Sequence, residues 1–212
     1  ENVEKLAGSL SSRPLLMECD VSDDANVEAM FQRLEGELGH IEVLIHSIAF
    51  ADRDDLGGRF VDTKREGFRV ALDTSAYSLV SLVRNGAPLM AENGGSILTL
   101  TFQASSRVFP GYNIMGTAKA ALENEVRQLA WDLGRDGIRV NAVSAGPLDT
   151  LSSRVISKYR DMKRVHAERS PLGRNITHQE VADTALFLCS PMASGITGEI
   201  LHVDCGYNVM GI

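Results

Sequence analysis

Short apolar runs alternate with helix-patterned segments along the chain, and this alternation constrains the fold more than any other feature. Between the runs, apolar residues recur with the three- and four-residue spacing of amphipathic helices. Strands that alternate with helices are joined by right-handed crossovers, which makes the sheet mainly parallel. We therefore predict an α/β fold with a doubly wound parallel sheet, in one domain over residues 1–212. The predicted strands are 14–21 (PLLMECDV), 41–48 (IEVLIHSI), 96–102 (SILTLTF), 138–143 (IRVNAV) and 198–203 (GEILHV).

The helices between these strands have recognisable ends. Gly39 and Gly134 each follow the last apolar residue of a helical pattern and are expected to close it. Thr177 and Glu180 form a capping box, in which each side chain satisfies a backbone N–H at the start of a helix. The predicted helices cover about residues 22–38, 65–91 (in one or two pieces), 112–133 and 177–188, with a basic helical segment before the last, to about residue 168.

Composition limits the functional classes. A chain of 212 residues and 23.0 kDa suits one domain with a buried core. Its net charge of −7 and pI of about 5.2 disfavour a general role on nucleic acids or anionic membranes. No apolar run approaches the ~20 residues of a membrane span. Cys19, Cys189 and Cys205 match neither a disulfide framework nor a zinc site, so we expect reduced thiols and a cytoplasmic location.

Tyr112 and Lys119 form the candidate catalytic pair. Lys119 follows Tyr112 by nearly two helical turns, so both side chains lie on almost the same face of the predicted helix. A lysine ammonium near a phenol favours the phenolate and shifts its pKa toward working pH. The pair could then donate a hydrogen bond or a proton to an oxyanion, and Lys119 could also hold ribose hydroxyls. Taken alone the spacing is weak, because many helices carry such pairs.

Four sequence blocks around this pair resemble the bacterial enoyl-acyl-carrier-protein reductases, a branch of the short-chain dehydrogenase/reductase family. Residues 112–120 (YNIMGTAKA) have the Tyr-x6-Lys spacing of that branch, whereas most of the family has Tyr-x3-Lys, and Met115 stands at that lysine position. The resemblance implies a Rossmann-type fold and an oxidoreductase that reduces the trans-2 double bond of enoyl thioesters with NADH, or NADPH, in fatty-acid biosynthesis. The other blocks are 46–51 (HSIAFA), 139–147 (RVNAVSAGP) and 196–204 (ITGEILHVD).

The same resemblance implies roles for individual residues. Tyr112 would stabilise the enolate that forms when hydride reaches the β-carbon, and Lys119 would hold the nicotinamide ribose. Asp20 and Val21 would receive the adenine ring. The implied substrate contacts are Ala51, Tyr112 and Met115. The implied cofactor contacts are Asp20, Val21, Ser47, Ile48, Lys119, Leu148, Asp149, Thr150, Leu151 and Ser152.

Two positions of the implied site depart from the family pattern. Phe102 belongs to the catalytic set by position, but the family usually has a second tyrosine there, so one hydroxyl near the thioester carbonyl is lost. After Pro147 the family typically has Ile-Arg-Thr, whereas this chain has Asp149 in place of the arginine. That change reverses a charge at the mouth of the site. Both departures leave Tyr112 and Lys119 in place, and they predict an altered substrate preference.

The glycine-rich turn that cradles a dinucleotide pyrophosphate is not found among the 19 glycines. The chain also begins at Glu1 within a segment that has helical spacing. We therefore expect the family's first strand, first helix and second strand to be missing. In the family's strand order, 3-2-1-4-5-6-7, residues 14–21 would be strand 3 and residues 41–48 strand 4. The two missing strands would lie between them and leave unpaired strand edges.

A basic segment beside the implied site suggests a protein partner. Its six basic side chains stand against Asp161 and Glu168 in an otherwise acidic chain. The segment is either a docking surface for an acidic acyl carrier protein or a solvated helix face. The basic residues are Arg154, Lys158, Arg160, Lys163, Arg164 and Arg169.

Two alternative functions stay open at this point. A carbonyl reductase of the broader family would favour Tyr-x3-Lys and a serine about thirteen residues before the tyrosine, where this chain has Thr99. A non-catalytic relative or fragment would act only through oligomer contacts, and cofactor binding separates it from an enzyme. Relatives assemble as tetramers, so a homotetramer is expected. An apolar stripe that could serve the core or an interface consists of Leu122, Val126, Leu129 and Leu133.

Overall fold

Parallel strands form the sheet at the centre of the protein. The computed structural model describes residues 2–12, 14–150, 153 and 159–211. Within these residues the strand order is β1-β2-β3-β4, and each neighbouring pair is parallel. The predicted α/β parallel sheet is therefore confirmed. The strands are β1 (Val43–His46), β2 (Gly95–Thr101), β3 (Ile138–Ala145) and β4 (Ile200–Val203).

Helices connect the strands and flank the sheet. The long segment predicted over 65–91 is divided, because a π-helical turn (Asp73–Tyr77) separates α3 from α4. In the part of the chain that the structure describes, none of the helices has both the length and the apolar character to cross a membrane. The helices are α1 (Asn2–Ala7), α2 (Asp24–Leu38), α3 (Arg65–Leu72), α4 (Ser78–Gly86), α5 (Asn113–Leu133), α6 (Tyr159–Arg169) and α7 (His178–Cys189).

The ends of two helices test the capping predictions. The capping box of Thr177 and Glu180 is present at the start of α7, with both side chain-to-backbone bonds formed. Helix α5 ends at Leu133 with Gly134 as its C-cap, as predicted, and a 3-10 turn (Gly134–Asp136) follows it. The reversal comes at Gly137, whose φ of 73° lies in the left-handed region that glycine adopts without strain.

The core lies on both faces of the sheet. Neighbouring residues of a strand point to opposite faces, and Ile97 and Leu98 of β2 accordingly belong to different apolar clusters. The cluster around Ile97 is packed by α2, α4 and α5. The cluster around Leu98 is packed by α7, through Val181 and Leu188. This two-sided burial holds the carboxyl ends of β1, β2 and β3 in fixed positions beside one another.

Residues 14–21 do not form the predicted strand. This segment has no regular secondary structure, and none of the described strands pairs with it. A parallel strand exists through the hydrogen bonds it makes to a neighbour, so an apolar run without a neighbour stays irregular. Leu15 and Leu16 are accordingly 39% and 40% exposed. The prediction failed because apolar content marks a segment for burial, but pairing decides whether it becomes a strand.

Candidate active site

A cavity of about 600 Å³ opens at the carboxyl ends of the strands. Ligands of open parallel sheets bind at this end, and small-molecule sites have volumes of roughly 300–1,000 Å³. The walls come from the segments that follow β1, β2 and β3 and from the starts of α5 and α6. The lining includes Ala49, Ala51, Phe102, Tyr112, Gly146 and Tyr159.

Tyr112 lies in the cavity wall, directly before α5. Gly111 precedes it with a φ of 86°, a conformation that glycine adopts without strain, and this turn directs the chain into the helix. The first residue of α5, Asn113, donates a side-chain hydrogen bond to the carbonyl of Gly57 and so ties the helix start to the loop after β1. Tyr112 is therefore held at a defined position between two elements of the cavity.

Lys119 is buried on α5, two turns beyond Tyr112. Its side chain is 6% exposed, and Nζ donates a hydrogen bond to the carbonyl oxygen of Leu100 at 2.8 Å. Burial lowers the pKa of Lys119 to about 8, so the ammonium is mostly retained at neutral pH. An ammonium has three N–H donors, and the bond to Leu100 uses one of them.

The protonation of Tyr112 differs from the prediction. The sequence predicts that Lys119 shifts the phenol toward the phenolate, but burial raises the pKa of Tyr112 above its ordinary value, and nearby Tyr159 adds to that rise. Removal of a phenol from water disfavours its charged form, and the Lys119 ammonium is bound to the Leu100 carbonyl. Tyr112 is thus a neutral hydrogen-bond donor at physiological pH.

Phe102 forms the wall next to Tyr112. The two ring centroids are 5.0 Å apart, with an edge-to-face angle of 61°. On its other side the Phe102 ring lies 4.6 Å from the ring of Phe109. Aromatic pairs in such tilted arrangements are favourable. Phe102 thus fixes the orientation of the phenol without contributing a hydroxyl of its own.

The predicted substrate contacts, Ala51 and Met115, both line the cavity. From the loop after β3, Leu148 and Thr150 line it as well. Ser153 stabilises this loop, because its Oγ donates to the carbonyl of Thr150 at 2.9 Å and accepts from the Thr150 N–H at 2.9 Å. Two further predicted cofactor contacts, Leu151 and Ser152, lie outside the described residues.

The remaining predicted cofactor contacts are not part of the cavity wall. Among the described residues, the lining does not include Asp20, Val21, Ser47, Ile48, Lys119 or Asp149. The carboxylate of Asp20 accepts hydrogen bonds from the N–H and Oγ of Ser22 at 2.9 and 2.7 Å, which lowers the pKa of Asp20. Val21 and Ile48 pack against the core. The cofactor-binding roles of these six residues stay predictions.

Helix α6 supplies cavity residues that the sequence did not single out. Tyr159 and Met162 line the cavity, and the Tyr159 hydroxyl donates to the carbonyl of Leu148. One turn later, Lys163 Nζ lies 2.5 Å from Oδ2 of Asp149. Residues four apart share a helix face, so α6 contacts consecutive residues of the loop with one face. The charge-rich composition of this segment predicted a surface helix and gave no signal of its inward side.

The nicotinamide end of a dinucleotide fits the residues present. A ribose needs hydrogen-bond donors, and the Lys119 ammonium has two N–H groups beyond the one bound to Leu100. The planar nicotinamide ring needs a wall without bulky side chains. The small residues Ala49, Ala145 and Gly146 line the cavity where β1 and β3 end. The cavity therefore has room beside Tyr112 for both a nicotinamide and a small acyl group.

A sequence profile described as Enoyl-(Acyl carrier protein) reductase matches residues 1–208. Among curated proteins, the chain is 49% identical over 211 residues to the NADH-dependent enoyl-acyl-carrier-protein reductase of Bacillus cereus, covering 99% of this chain and 82% of that protein. It is 43% identical over 212 residues to the enzyme of the same name from Aquifex aeolicus, covering 100% of this chain and 78% of that protein.

Solved structures give the same relationship. The crystal structure of the Bacillus cereus enoyl-acyl carrier protein reductase with NADP+ and indole naphthyridinone superposes with a TM-score of 0.97 at 48% identity, over 100% of this chain and 82% of that one. The Anaplasma phagocytophilum enzyme in complex with NAD has a TM-score of 0.94 at 46% identity, over 99% of this chain and 79% of that one.

Proposed function

The chain belongs to the enoyl-(acyl carrier protein) reductases, and from this premise we propose that the cavity beside Tyr112 is where the enzyme does its chemistry. The protein is an NADH-dependent oxidoreductase of fatty-acid biosynthesis that reduces the double bond of enoyl-acyl-carrier-protein thioesters. The family relationship disfavours both the carbonyl-reductase and the non-catalytic alternatives. The observation that carries the assignment of the site is the half-buried, neutral phenol at the wall of a cavity that opens at the strand ends.

Tyr112 is the group that meets the substrate. When hydride reaches the β-carbon of the enoyl thioester, negative charge develops on the thioester oxygen. A neutral phenol that is already oriented stabilises this charge by donating a hydrogen bond, without reorganisation at the moment of reaction. The raised pKa of Tyr112 keeps its proton in place for that purpose. Phe102 holds the ring at the required angle.

Lys119 positions the cofactor. The bound dinucleotide supplies the hydride. Lys119 holds the nicotinamide ribose through the two N–H groups that the carbonyl of Leu100 leaves available. Because Leu100 belongs to β2, the lysine fixes the ribose relative to the sheet, and Tyr112 on the same helix fixes the thioester relative to the ribose. The small residues at the ends of β1 and β3 leave the space between them open.

Turnover of a trans-2-enoyl thioester with NADH tests the proposal, with Tyr112→Phe as the variant. The phenylalanine keeps the ring contact with Phe102 but removes the donor, so kcat should fall by roughly 10²- to 10³-fold. NADH binding, followed by nicotinamide fluorescence, should stay unchanged. Retention of full kcat in the Tyr112→Phe variant would contradict the role of the phenol.

The docking of the acyl carrier protein is part of the same proposal. An acidic acyl carrier protein would dock on the basic face of α6 near the cavity, where Arg160 and Arg169 are exposed. Arg164 is already paired with Glu168 in the same helix, at 2.9 Å. Charge reversal at Arg160 should raise KM for the carrier-bound thioester and leave KM for the coenzyme A thioester unchanged. Arg135→Glu, beyond the far end of α5, is the control, and equal KM values in both variants would remove the docking role.

Assembly and location complete the proposal. Homotetramer formation would bury exposed apolar side chains such as Trp131, which is 79% exposed on α5. Cys19, Cys189 and Cys205 are free thiols, which agrees with a reducing compartment such as the cytoplasm. Sedimentation analysis of the purified chain tests the tetramer, and a monomer at micromolar concentration would contradict it.

A further inference from the structure

A second cavity, of about 440 Å³, adjoins the active site. Met162 of α6 lines both cavities. The wall they share continues through two rings in contact, because Phe102 lines the first cavity, Phe109 lines the second, and their centroids are 4.6 Å apart. The two spaces are thus separated by a methionine side chain and one layer of aromatic rings.

The second cavity is apolar inside and charged at its mouth. Arg107 and Asp161 line it from exposed positions, next to Val108, which is 93% exposed. Inside, the His166 ring is 3% exposed and stacks on Tyr207 with a centroid distance of 4.6 Å. Burial lowers the pKa of His166, so the imidazole is neutral at physiological pH. The imidazole therefore places no charge beside a bound alkyl chain, although neither of its buried ring nitrogens has a hydrogen-bond partner among the described residues. Its apolar lining residues are Phe109, Met162, Val165 and Met210.

The far wall is held in place by backbone contacts. The guanidinium of Arg107 donates hydrogen bonds to the carbonyls of Met210 and Asn208, at 3.1 and 3.3 Å. Tyr207 lies against Phe109, with ring centroids 6.5 Å apart. These contacts tie the segment after β4 to the segment before α5, so the space between them is built by the fold.

We propose that the second cavity receives the distal part of long acyl chains and thereby extends the range of chain lengths that the enzyme reduces. This inference rests on the proposed function, in which the cavity beside Tyr112 holds the nicotinamide and the thioester. A methionine side chain is unbranched and adapts its shape readily. Met162 is therefore the point at which a long acyl chain passes from the first cavity into the second.

Acyl-chain selectivity tests this inference. Val165 lines the second cavity from α6 and is absent from the lining of the first. Val165→Phe fills the second cavity, and Val165→Ala is the matched control that enlarges it. The substrates are the coenzyme A thioesters of trans-2-butenoic and trans-2-dodecenoic acid. Each methylene that is kept out of an apolar site lowers kcat/KM by about fourfold.

Val165→Phe should lower kcat/KM for the dodecenoyl thioester by about tenfold or more, since at least two methylenes lose their site. Its kcat/KM for the butenoyl thioester should stay unchanged, and Val165→Ala should retain dodecenoyl turnover. Circular dichroism shows whether the Val165→Phe protein is folded. If it is folded, an unchanged ratio of dodecenoyl to butenoyl kcat/KM overturns the inference, and so does an equal loss of both activities. If Val165→Phe does not fold, Val108→Phe at the exposed mouth is read in the same way.

The unaltered chain separates this inference from the proposed function. Suppose that the unaltered chain reduces the butenoyl thioester and that the variants keep its ratio of dodecenoyl to butenoyl kcat/KM. This result overturns only the role of the second cavity. Absence of butenoyl turnover by the unaltered chain overturns the proposed function, and the inference with it.

Discussion

The phenolic hydroxyl of Tyr159 donates a hydrogen bond to the backbone carbonyl of Leu148, and this bond joins α6 to the loop after β3. Leu148 lines the active-site cavity, and so does Tyr159. Phe102 lines the same cavity, at a position where the family resemblance implies a tyrosine. The Tyr159 hydroxyl is thus used to hold the loop after β3 in place.

Removal of this hydroxyl should loosen the loop. We expect Tyr159→Phe to raise KM for NADH by about two- to tenfold, because a net hydrogen bond contributes about 0.5–1.5 kcal/mol. Steady-state kinetics with NADH as the varied substrate give the measurement. Tyr77→Phe on the exposed side of the π-helical turn is the control. A KM equal to that of the unaltered chain would show that the bond does not hold the loop for cofactor binding.

The ion pair between Lys163 and Asp149 should give a weaker and salt-dependent effect. Asp149 is 71% exposed and Lys163 26% exposed, so the pair contributes at most about 1 kcal/mol. We expect Lys163→Met to raise KM for the enoyl thioester about twofold at low salt. The difference should vanish near 1 M salt, where the Debye length is about 3 Å. Arg164→Met, which breaks an ion pair within α6, should leave KM unchanged at both salt concentrations.

Gly67 in α3 should not accept a side chain. A Cβ at this position would lie 1.8 Å from Oδ2 of the buried Asp55. Gly67→Ala should therefore lower the free energy of unfolding by about 1–3 kcal/mol, as measured by urea denaturation. Gly36 in α2 has no atom within 4 Å of such a Cβ. Gly36→Ala should raise stability by about 0.5–1 kcal/mol, and equal effects of the two substitutions would contradict the steric argument.

The titration of Lys119 should appear in the pH dependence of stability. Its pKa is about 8 in the folded chain, whereas the ordinary value is 10.5. Between these values the unfolded chain holds the proton and the folded chain does not, so this group's contribution to stability increases as pH rises from about 8. Urea unfolding at pH 7.5 and 9.5 should therefore show a difference that Lys119→Met removes. The same pH slope in the variant would assign the effect to another group.

His46 should destabilise the protein in mild acid. Both of its ring nitrogens are hydrogen-bonded, to Thr99 and Ser78, and burial lowers its pKa to about 4. The unfolded chain binds a proton below its ordinary value of 6.5. The contribution of His46 is therefore fully present above that pH and decreases as pH falls, by about 2 kcal/mol at pH 5. Unfolding measurements at pH 5 and 7 on the unaltered chain and on His46→Gln check this decrease, which the variant should not show.

The sequence predicted the fold through patterns that local chemistry determines. Four of the five predicted strands are present with shifted ends, because alternating apolar and helical segments specify a parallel sheet. The run at 14–21 failed because strand formation depends on a neighbour. Motif spacing pointed to Tyr112 and Lys119, whose roles stay predictions, but it did not predict the raised pKa of the phenol, which depends on burial by other segments. The inward position of Tyr159 could not be predicted either, since it depends on how α6 docks against the loop.

The bond between Lys119 and the carbonyl of Leu100 ties α5 to β2, and the phenol and the ammonium are carried on that one assembly. Other residues that line the cavity, such as Leu148, Tyr159 and Met162, lie in the loop after β3 and in α6, outside that assembly. A mutant library for altered acyl selectivity is therefore best confined to α6 and the loop before it. Randomisation of α5 would alter the catalytic groups and the shape of the acyl site at the same time. Improved variants would therefore rarely be recovered from such a library.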